Sequence, residues 1–266
     1  MAIALFYSMK IIVLMKQVAN KDAVLRISPD EKWINEADVA QQTNESDGYA
    51  LEEALRMKEA KGEGEVIVCS LGPQSAKTVI KDALARGADR AIHVVVDDSK
   101  LLSPYQIASA IADAIREENA DLVFTGLQSD DSSFGQTGVI LAELLGIPHA
   151  TIVIEVDRSK LDGTVRLKRE LESGWYQWFT YQTPALLTIQ SGISQIRYAS
   201  LKGIMAAKKK EIRDVAPAIA DLAGKQTIQK VYLPLKTKQT QLLGNGDAKA
   251  GAVELVEKLK AEVRVI

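Results

Sequence analysis

Two periodicities alternate along the first 150 residues. Short, nearly continuous apolar runs recur as KIIVLM at 10–15, EVIVCSLG at 65–72, RAIHVVV at 90–96 and DLVFTG at 121–126. Runs of this kind read as strands buried on both faces. Between them lie stretches with helical spacing. In DGYALEEALRMKEAKG (47–62), Ala50, Ala54 and Leu55 fall on one face with Met57 or Lys58 at its edge, and the acidic Glu52 and Glu53 fall on the other side. SAKTVIKDALARGA, SPYQIASAIADAIREENA and TGVILAELLG follow the same pattern. Ser103, Pro104 and Gln106 suit an N-cap, a first-turn proline and the third position of a capping box. Strand–helix alternation predicts an α/β fold: a mainly parallel sheet with flanking helices.

The alternation fades after about residue 150, which argues against a closed (β/α) barrel. ATIVIEVD, TVRLKRELES, YQWFTYQ and PALLTIQS read as strands joined by turns, with Asp162–Gly163 as a hairpin turn. They predict an antiparallel extension of the sheet or a flap. KKKEIRDVAPAIADLAG (208–224) reads as charged and partly helical, and LPLKTKQTQLLGNGDAKAG (233–251) as an arm. The final GAVELVEKLKAEVRVI reads as a short helix ending in an apolar strand or hook. An arm must recover its ordering entropy against a surface, and a partner subunit is the favoured one.

Composition narrows the function classes. With 47% hydrophobic residues in 266, the chain can bury a substantial core. A formal net charge of −2 gives no general drive toward nucleic acid or acidic membranes. The N-terminal MAIALFYSMKIIVLMKQV is interrupted by Lys10 and Lys16 and is not a membrane span of roughly 20 apolar residues. Residues 1–8 read as an extension, native or from an upstream start. The single cysteine, Cys69, precludes an intramolecular disulfide and suits a reducing compartment, the cytoplasm.

In open α/β sheets, ligands bind beyond the carboxyl ends of the strands. Three ends stand out: Met15–Gln17, Ser70–Gly72, and Gly126 onward. The last opens GLQSDDSSFGQTG (126–138), a loop of glycines, amides and hydroxyls before a helix. Gln128, Gln136 and Thr137 offer partners for phosphate, sugar or base, and the helix start at 136–137 offers free amides to an anion. Asp131 suits ribose hydroxyls or an adenine amine. The competing reading is a solvated loop with ordinary helix capping. Neither GxGxxG nor GxxxxGK[ST] is present. Asn44, just before a helix, reads first as its cap and second as an adenine contact. His93 and Cys69 read as strand packing, and His149 as a loop residue; no HExxH, GxSxG or paired-cysteine motif appears. Trp175, Tyr176, Trp178 and Phe179 read as core packing, with a cofactor or partner face as the alternative.

At GLQSDDSSFGQTG the chain resembles the β-subunit family of the electron transfer flavoproteins. NESDGYALEEALRMKE, GPQSAKTVIKDALARGADRAIHV, PALLTIQSGISQIRYASLKGIMAAKKKEI and VELVEKLKAEVRVI carry the same likeness in the family order, from about Met9 to Ile266. The resemblance implies a nucleotide-binding domain over 9–230 with a recognition loop near 197–210, and a C-terminal arm and helix over 231–266 packing on an α subunit. It implies a heterodimer that carries electrons from flavin dehydrogenases, such as acyl-CoA dehydrogenases, toward a quinone reductase, itself an electron carrier rather than an enzyme, as in fatty acid oxidation. FAD would be held mainly by the α subunit and AMP by this chain. The AMP contacts implied are Met15, Asn44, Leu71, Gln128, Asp131, Gln136 and Thr137.

The loop also departs from the family. Ser132 and Ser133 stand where many members are more acidic, and Gly135 where they have asparagine. A second FAD in place of AMP, in an NADH-linked electron-bifurcating complex, is therefore the first alternative; an adenine-nucleotide sensor is the second. By the same resemblance Leu201 is the leucine that enters an apolar pocket on the dehydrogenase, with Ile204 and Met205 beside it. Lys208, Lys209 and Lys210 would steer an acidic partner or support the flavin environment. A capped surface helix with a solvated lysine run is the plainer reading of those residues. Neither nucleic acid binding nor direct membrane insertion is expected.

Overall fold

The computed structural model describes residues 8–37, 39–97, 99–159, 161–217, 226–235 and 240–266. Of the extension expected over 1–8, all but Ser8 lies outside the described residues. The chain divides into two compact units, residues 1–230 and 231–266.

The larger unit is built on a nine-stranded sheet. Its parallel strands are β1 (Lys10–Leu14), β4 (Glu65–Gly72), β5 (Arg90–Val95), β6 (Leu122–Gly126), β7 (His149–Asp157), β10 (Ala185–Ile189) and β11 (Ile212–Val215). β8 (Thr164–Glu170) and β9 (Tyr176–Gln182) extend the sheet antiparallel to β7. The spatial order is β11-β5-β4-β1-β6-β10-β7-β8-β9. A separate pair, β2 (Gln17–Ala19) and β3 (Gln41–Thr43), is antiparallel.

Alternation within the strands divides the core into two layers. Ile11, Val13, Val66, Val68 and Phe124 face α1 (Glu45–Lys61), α2 (Lys77–Arg86) and α5 (Leu201–Ala207). Ile12, Ile67, Cys69, Ile92 and Val123 face α3 (Pro104–Ile115) and α4 (Thr137–Leu145). The capping box of α3 is made: Ser103 Oγ accepts from Gln106 N–H, and the Gln106 side chain accepts from Ser103 N–H.

The structure differs from the sequence expectations, or adds to them, at several places. PALLTIQS is not part of the antiparallel extension: β10 inserts parallel between β6 and β7, and all five of its residues are buried. Its run ALLTI has the signature of a two-face-buried strand, the criterion already met by the first four. Residues 212–215 of the segment expected to be charged and partly helical form β11, which pairs with β5 at the edge, while its residues 218–224 lie outside the described residues. Glu52 and Glu53 do leave the Ala50 face of α1, but they are buried there. Arg158 binds Glu53 through two bonds of 2.8 and 2.7 Å, and Arg197 and Arg56 bind Glu52. Finally, Trp175, Tyr176 and Trp178 are exposed rather than in the core, with Trp175 72% accessible.

The smaller unit holds α6 (Ala248–Lys258), capped by Asp247, whose side chain accepts from Lys249 and Ala250 N–H. A π-helical turn, Leu259–Val263, follows. Of the apolar strand or hook expected at the terminus, no strand forms: residues 264–266 have no regular structure. None of the α6 residues is buried.

Candidate functional site

From β1 the chain runs outward to β4 and β5, then returns to β6 on the other side of β1. That reversal leaves a crevice at the carboxyl ends of β1 and β6, the switch point of the sheet. The crevice is braced from the first turn of α1. Asp47, fully buried, accepts from Lys16 N–H at 2.8 Å through Oδ2 and from Gly126 N–H at 3.0 Å through Oδ1. One carboxylate thus ties the ends of both strands. Burial pushes that carboxyl up to about 7, against the hydrogen bonds it accepts. Gly126 must lack a side chain here, since a Cβ would overlap Ser46 Oγ and Asp47 Oδ1.

Asn44 occupies the N-cap position of α1 but its side chain makes no capping bond. Its Oδ1 accepts from Asp130 N–H at 2.8 Å, and its Nδ2 donates to the Gln128 carbonyl at 3.0 Å. Asp130 returns the contact, accepting from Glu45 N–H at 3.1 Å. Loop 126–138 and the start of α1 therefore cap each other. Ser46 Oγ adds a second bond to the Gln128 carbonyl. Ser133 and Gly135 take positive φ, 51° and 62°, which turns the loop back toward α4.

The loop walls a cavity of about 130 Å³. Six of the seven expected ligand contacts line it: Met15, Asn44, Leu71, Gln128, Gln136 and Thr137. They come from four separated segments. Leu14, Ile107 and Ile111 supply apolar wall, and Phe134, half-exposed, is its only aromatic among the described residues. Gln136 is the N-cap residue of α4 and Thr137 its first residue, so the free amides of that helix open onto the cavity. Gly138 permits close packing there, since a Cβ would press on Thr125 Oγ1 and Thr188 Cγ2.

Asp131, the seventh, lines an adjoining cavity of about 260 Å³ instead. Its Oδ1 accepts from Lys16 Nζ at 2.6 Å, and Ser129 and Ser132 hydroxyls also lie 3.3 Å from that ammonium. Burial pushes the Asp131 carboxyl up, but the Lys16 ammonium and neighbouring hydrogen bonds outweigh it and hold it below the usual carboxylate range. Sequence reasoning named the strand end at Lys16 without giving it a role. It also missed Ser46, Asp47, Asp130 and Phe134. Ser46 and Asp47 sit in the first turn of α1, where helix capping is expected, so nothing local marks their tertiary contacts.

The second expected surface is around α5. Ser200 caps it by accepting from Gly203 N–H at 3.0 Å. Leu201 is 84% exposed, and Ile204 and Met205 are also exposed. The helix packs on α2 so closely that a Cβ at Gly203 would overlap the Ala85 carbonyl. Lys208 and Lys209 face solvent, whereas Lys210 donates to the carbonyls of Leu84 and Ala88 at the end of α2. Burial lowers the Lys210 pKa. Its ammonium is committed to structure rather than steering. Arg197, just before α5, ties the preceding segment to Glu52 and Glu59 of α1.

The two side chains expected as strand packing, His93 and Cys69, are both buried. His93 is buried and shares polar contacts with the Gly72 carbonyl, 3.1 Å, and Asp214, 3.3 Å. Burial pushes the Cys69 thiol up to about 12. No His, Cys, Asp or Glu cluster suited to a metal occurs among the described residues, and none of their helices is long and apolar enough to cross a membrane. Arg166 and Lys168 of β8 lie over the exposed Trp178 and Tyr176 rings of β9, at 4.5 and 4.6 Å.

Comparison with known proteins adds an independent finding. The electron transfer flavoprotein domain family matches residues 32–220. The electron transfer flavoprotein subunit beta of Methylophilus methylotrophus is 33% identical over 262 residues, spanning 95% of this chain and 99% of that protein. The mitochondrial subunit beta of Oryza sativa subsp. indica is 35% identical over 97% of this chain and 100% of its own length. The Homo sapiens subunit beta is 34% identical over 85% of this chain and 89% of its own length.

Proposed function

Since the chain belongs to the electron transfer flavoprotein family, as a β subunit, we propose that it pairs with an α subunit and passes electrons from flavin dehydrogenases, such as acyl-CoA dehydrogenases, toward a quinone reductase. The observation that carries the nucleotide part of this reading is the cavity at the switch point. It brings Met15, Asn44, Leu71, Gln128, Gln136 and Thr137 to one place. These residues fit AMP. The apolar wall suits a base, the amide and hydroxyl side chains suit a ribose, and the start of α4 suits an anion.

FAD, held mainly by the α subunit, supplies the one- and two-electron chemistry. Among the described residues the cavity offers no reactive thiol: Cys69, the only cysteine in the sequence, is buried with its thiol held protonated. The chain's part is positional, as a carrier subunit rather than an enzyme. AMP, which lacks an accessible redox couple, has a structural role, knitting β1, α1 and loop 126–138 into one platform. Leu201, with Ile204 and Met205, docks the dehydrogenase; Lys208 and Lys209 favour an acidic partner surface. The exposed apolar residues of 231–266, among them Leu233, Leu235 and Leu242, cover themselves on the α subunit. A single buried cysteine suits a reducing compartment such as the cytoplasm.

Denaturing extraction and chromatography of this chain co-purified with its α partner provide the test. About one FAD and one AMP per heterodimer are expected. Two FAD and no AMP would replace the carrier reading with an NADH-linked bifurcating one. A complex without any adenine nucleotide in this subunit would overturn the assignment of the cavity.

A further inference from the structure

Lys16 is the one cation among the described residues lining the switch-point cavity. Its backbone is fixed by the Asp47 carboxylate, and its side chain reaches across to loop 126–138. The carboxylate on the cavity wall, Asp47, spends both oxygens on backbone N–H groups. The adjoining cavity is lined by Glu36, Asp97 and Asp131 as well as Lys16. An anion there would meet three carboxylates. Lys16, Leu71 and Ser99 line both cavities, so the Lys16–Asp131 pair stands where the two adjoin.

A phosphate brought into the inner cavity loses water against an apolar wall, and a full positive charge is what offsets that loss. The helix start at Gln136–Thr137 supplies only partial charge. The structure holds the required ammonium in place but already paired. That pair is half-open to solvent, with side-chain exposures of 35% for Lys16 and 18% for Asp131. A displaced Asp131 keeps the bonds it accepts from Ser132 N–H and Oγ–H, which limits the cost of exchanging one anion for another.

We propose that Lys16 is the phosphate-binding residue of this cleft and that Asp131 is its displaceable counter-ion. Ligand phosphate and Asp131 then compete for one ammonium, while Ser129 and Ser132 keep the lysine head over the cavity mouth. This rests on the adenine-nucleotide reading of the cavity. It gives Asp131 the opposite sign from a ribose or adenine contact: removing its charge strengthens binding of a phosphorylated ligand instead of weakening it.

The test is calorimetric titration of the full, nucleotide-free chain with AMP and, separately, with adenosine. Wild type should bind AMP more tightly than adenosine. Lys16→Met should lower AMP affinity about tenfold or more, the scale of one charge-assisted bond, and leave adenosine unchanged. Lys16→Arg should keep most of the AMP affinity, which separates loss of charge from loss of fold. Asp131→Asn should tighten AMP severalfold without affecting adenosine. Lys16→Met weakening both ligands alike, or Asp131→Asn weakening AMP, would overturn the proposal. Equal wild-type affinities for AMP and adenosine would overturn it too while leaving an adenine site standing. Binding of neither ligand by wild type would sink the nucleotide reading and the proposal together.

Discussion

Asp47 permits a test of how the switch point is held. Replacing it with Asn keeps the shape of the side chain and removes the titrating group. The native carboxylate is fully buried and accepts two backbone N–H bonds, from Lys16 and Gly126. Burial disfavours the charged form more than those bonds favour it, so the folded-state pKa stands at about 7 against an ordinary 3.8. The sign follows from linkage. Below pH 4 the carboxyl is protonated in both folded and unfolded chains, and its titration costs nothing. As pH rises from 4 to 7, the unfolded chain releases the proton while the folded chain retains it, so stability falls. Above 7 both are ionised and the loss levels off at about 4 kcal/mol. Asn cannot titrate and carries no such loss.

Urea unfolding of wild type and Asp47→Asn, followed by circular dichroism from pH 4 to 8.5, reads this directly. Other titrating groups cancel in the difference, provided the denaturant slopes agree. The difference should move in favour of Asn by about 3–4 kcal/mol between pH 4 and 7 and then stay flat. A pH-independent difference would refute the reasoning. It would mean that two backbone N–H groups compensate fully for burying the charge, and that Asp47 is an ordinary carboxylate.

Three further outcomes follow from the contacts. Gly126→Ala drives a methyl into Ser46 and Asp47; a loss of about 1–3 kcal/mol in chemical unfolding is expected, and an unchanged midpoint would mean that the strand end is free to shift. Arg197→Ala strips Glu52, which is 2% exposed, of its main partner but leaves Arg56; since Arg197 is partly solvated, about 1–3 kcal/mol should be lost, with faster proteolysis at 190–200, and wild-type stability would show that Arg56 suffices. Leu201→Ala removes a side chain that is 84% exposed; folding should change by less than about 0.5 kcal/mol, while electron transfer from a cognate flavin dehydrogenase weakens, and unchanged coupling would remove Leu201 from the docking surface.

The sequence by itself determined the layered fold. Four continuous apolar runs, separated by helical spacing, have no other economical packing than strands covered on both faces. It also located the ligand loop, because glycines and hydroxyls at 126–138 follow a strand and precede a helix start. Strand order was beyond it: ALLTI marks a strand buried on both faces, but only the tertiary structure slots it between β6 and β7. The burial of Glu52 and Glu53 was likewise hidden, since their partners Arg158 and Arg197 lie more than 100 residues away. The same holds at the site. Asn44 reads locally as a cap, and Lys16, Asp47 and Asp130 as ordinary strand-end, helix-start and loop charges. Each is instead satisfied across the crevice, 31 to 115 residues away in sequence. Hydrophobic period is a local property that short segments carry intact. The partner of a buried charge is set by which segments the sheet brings together, and that is decided only when the chain closes on itself.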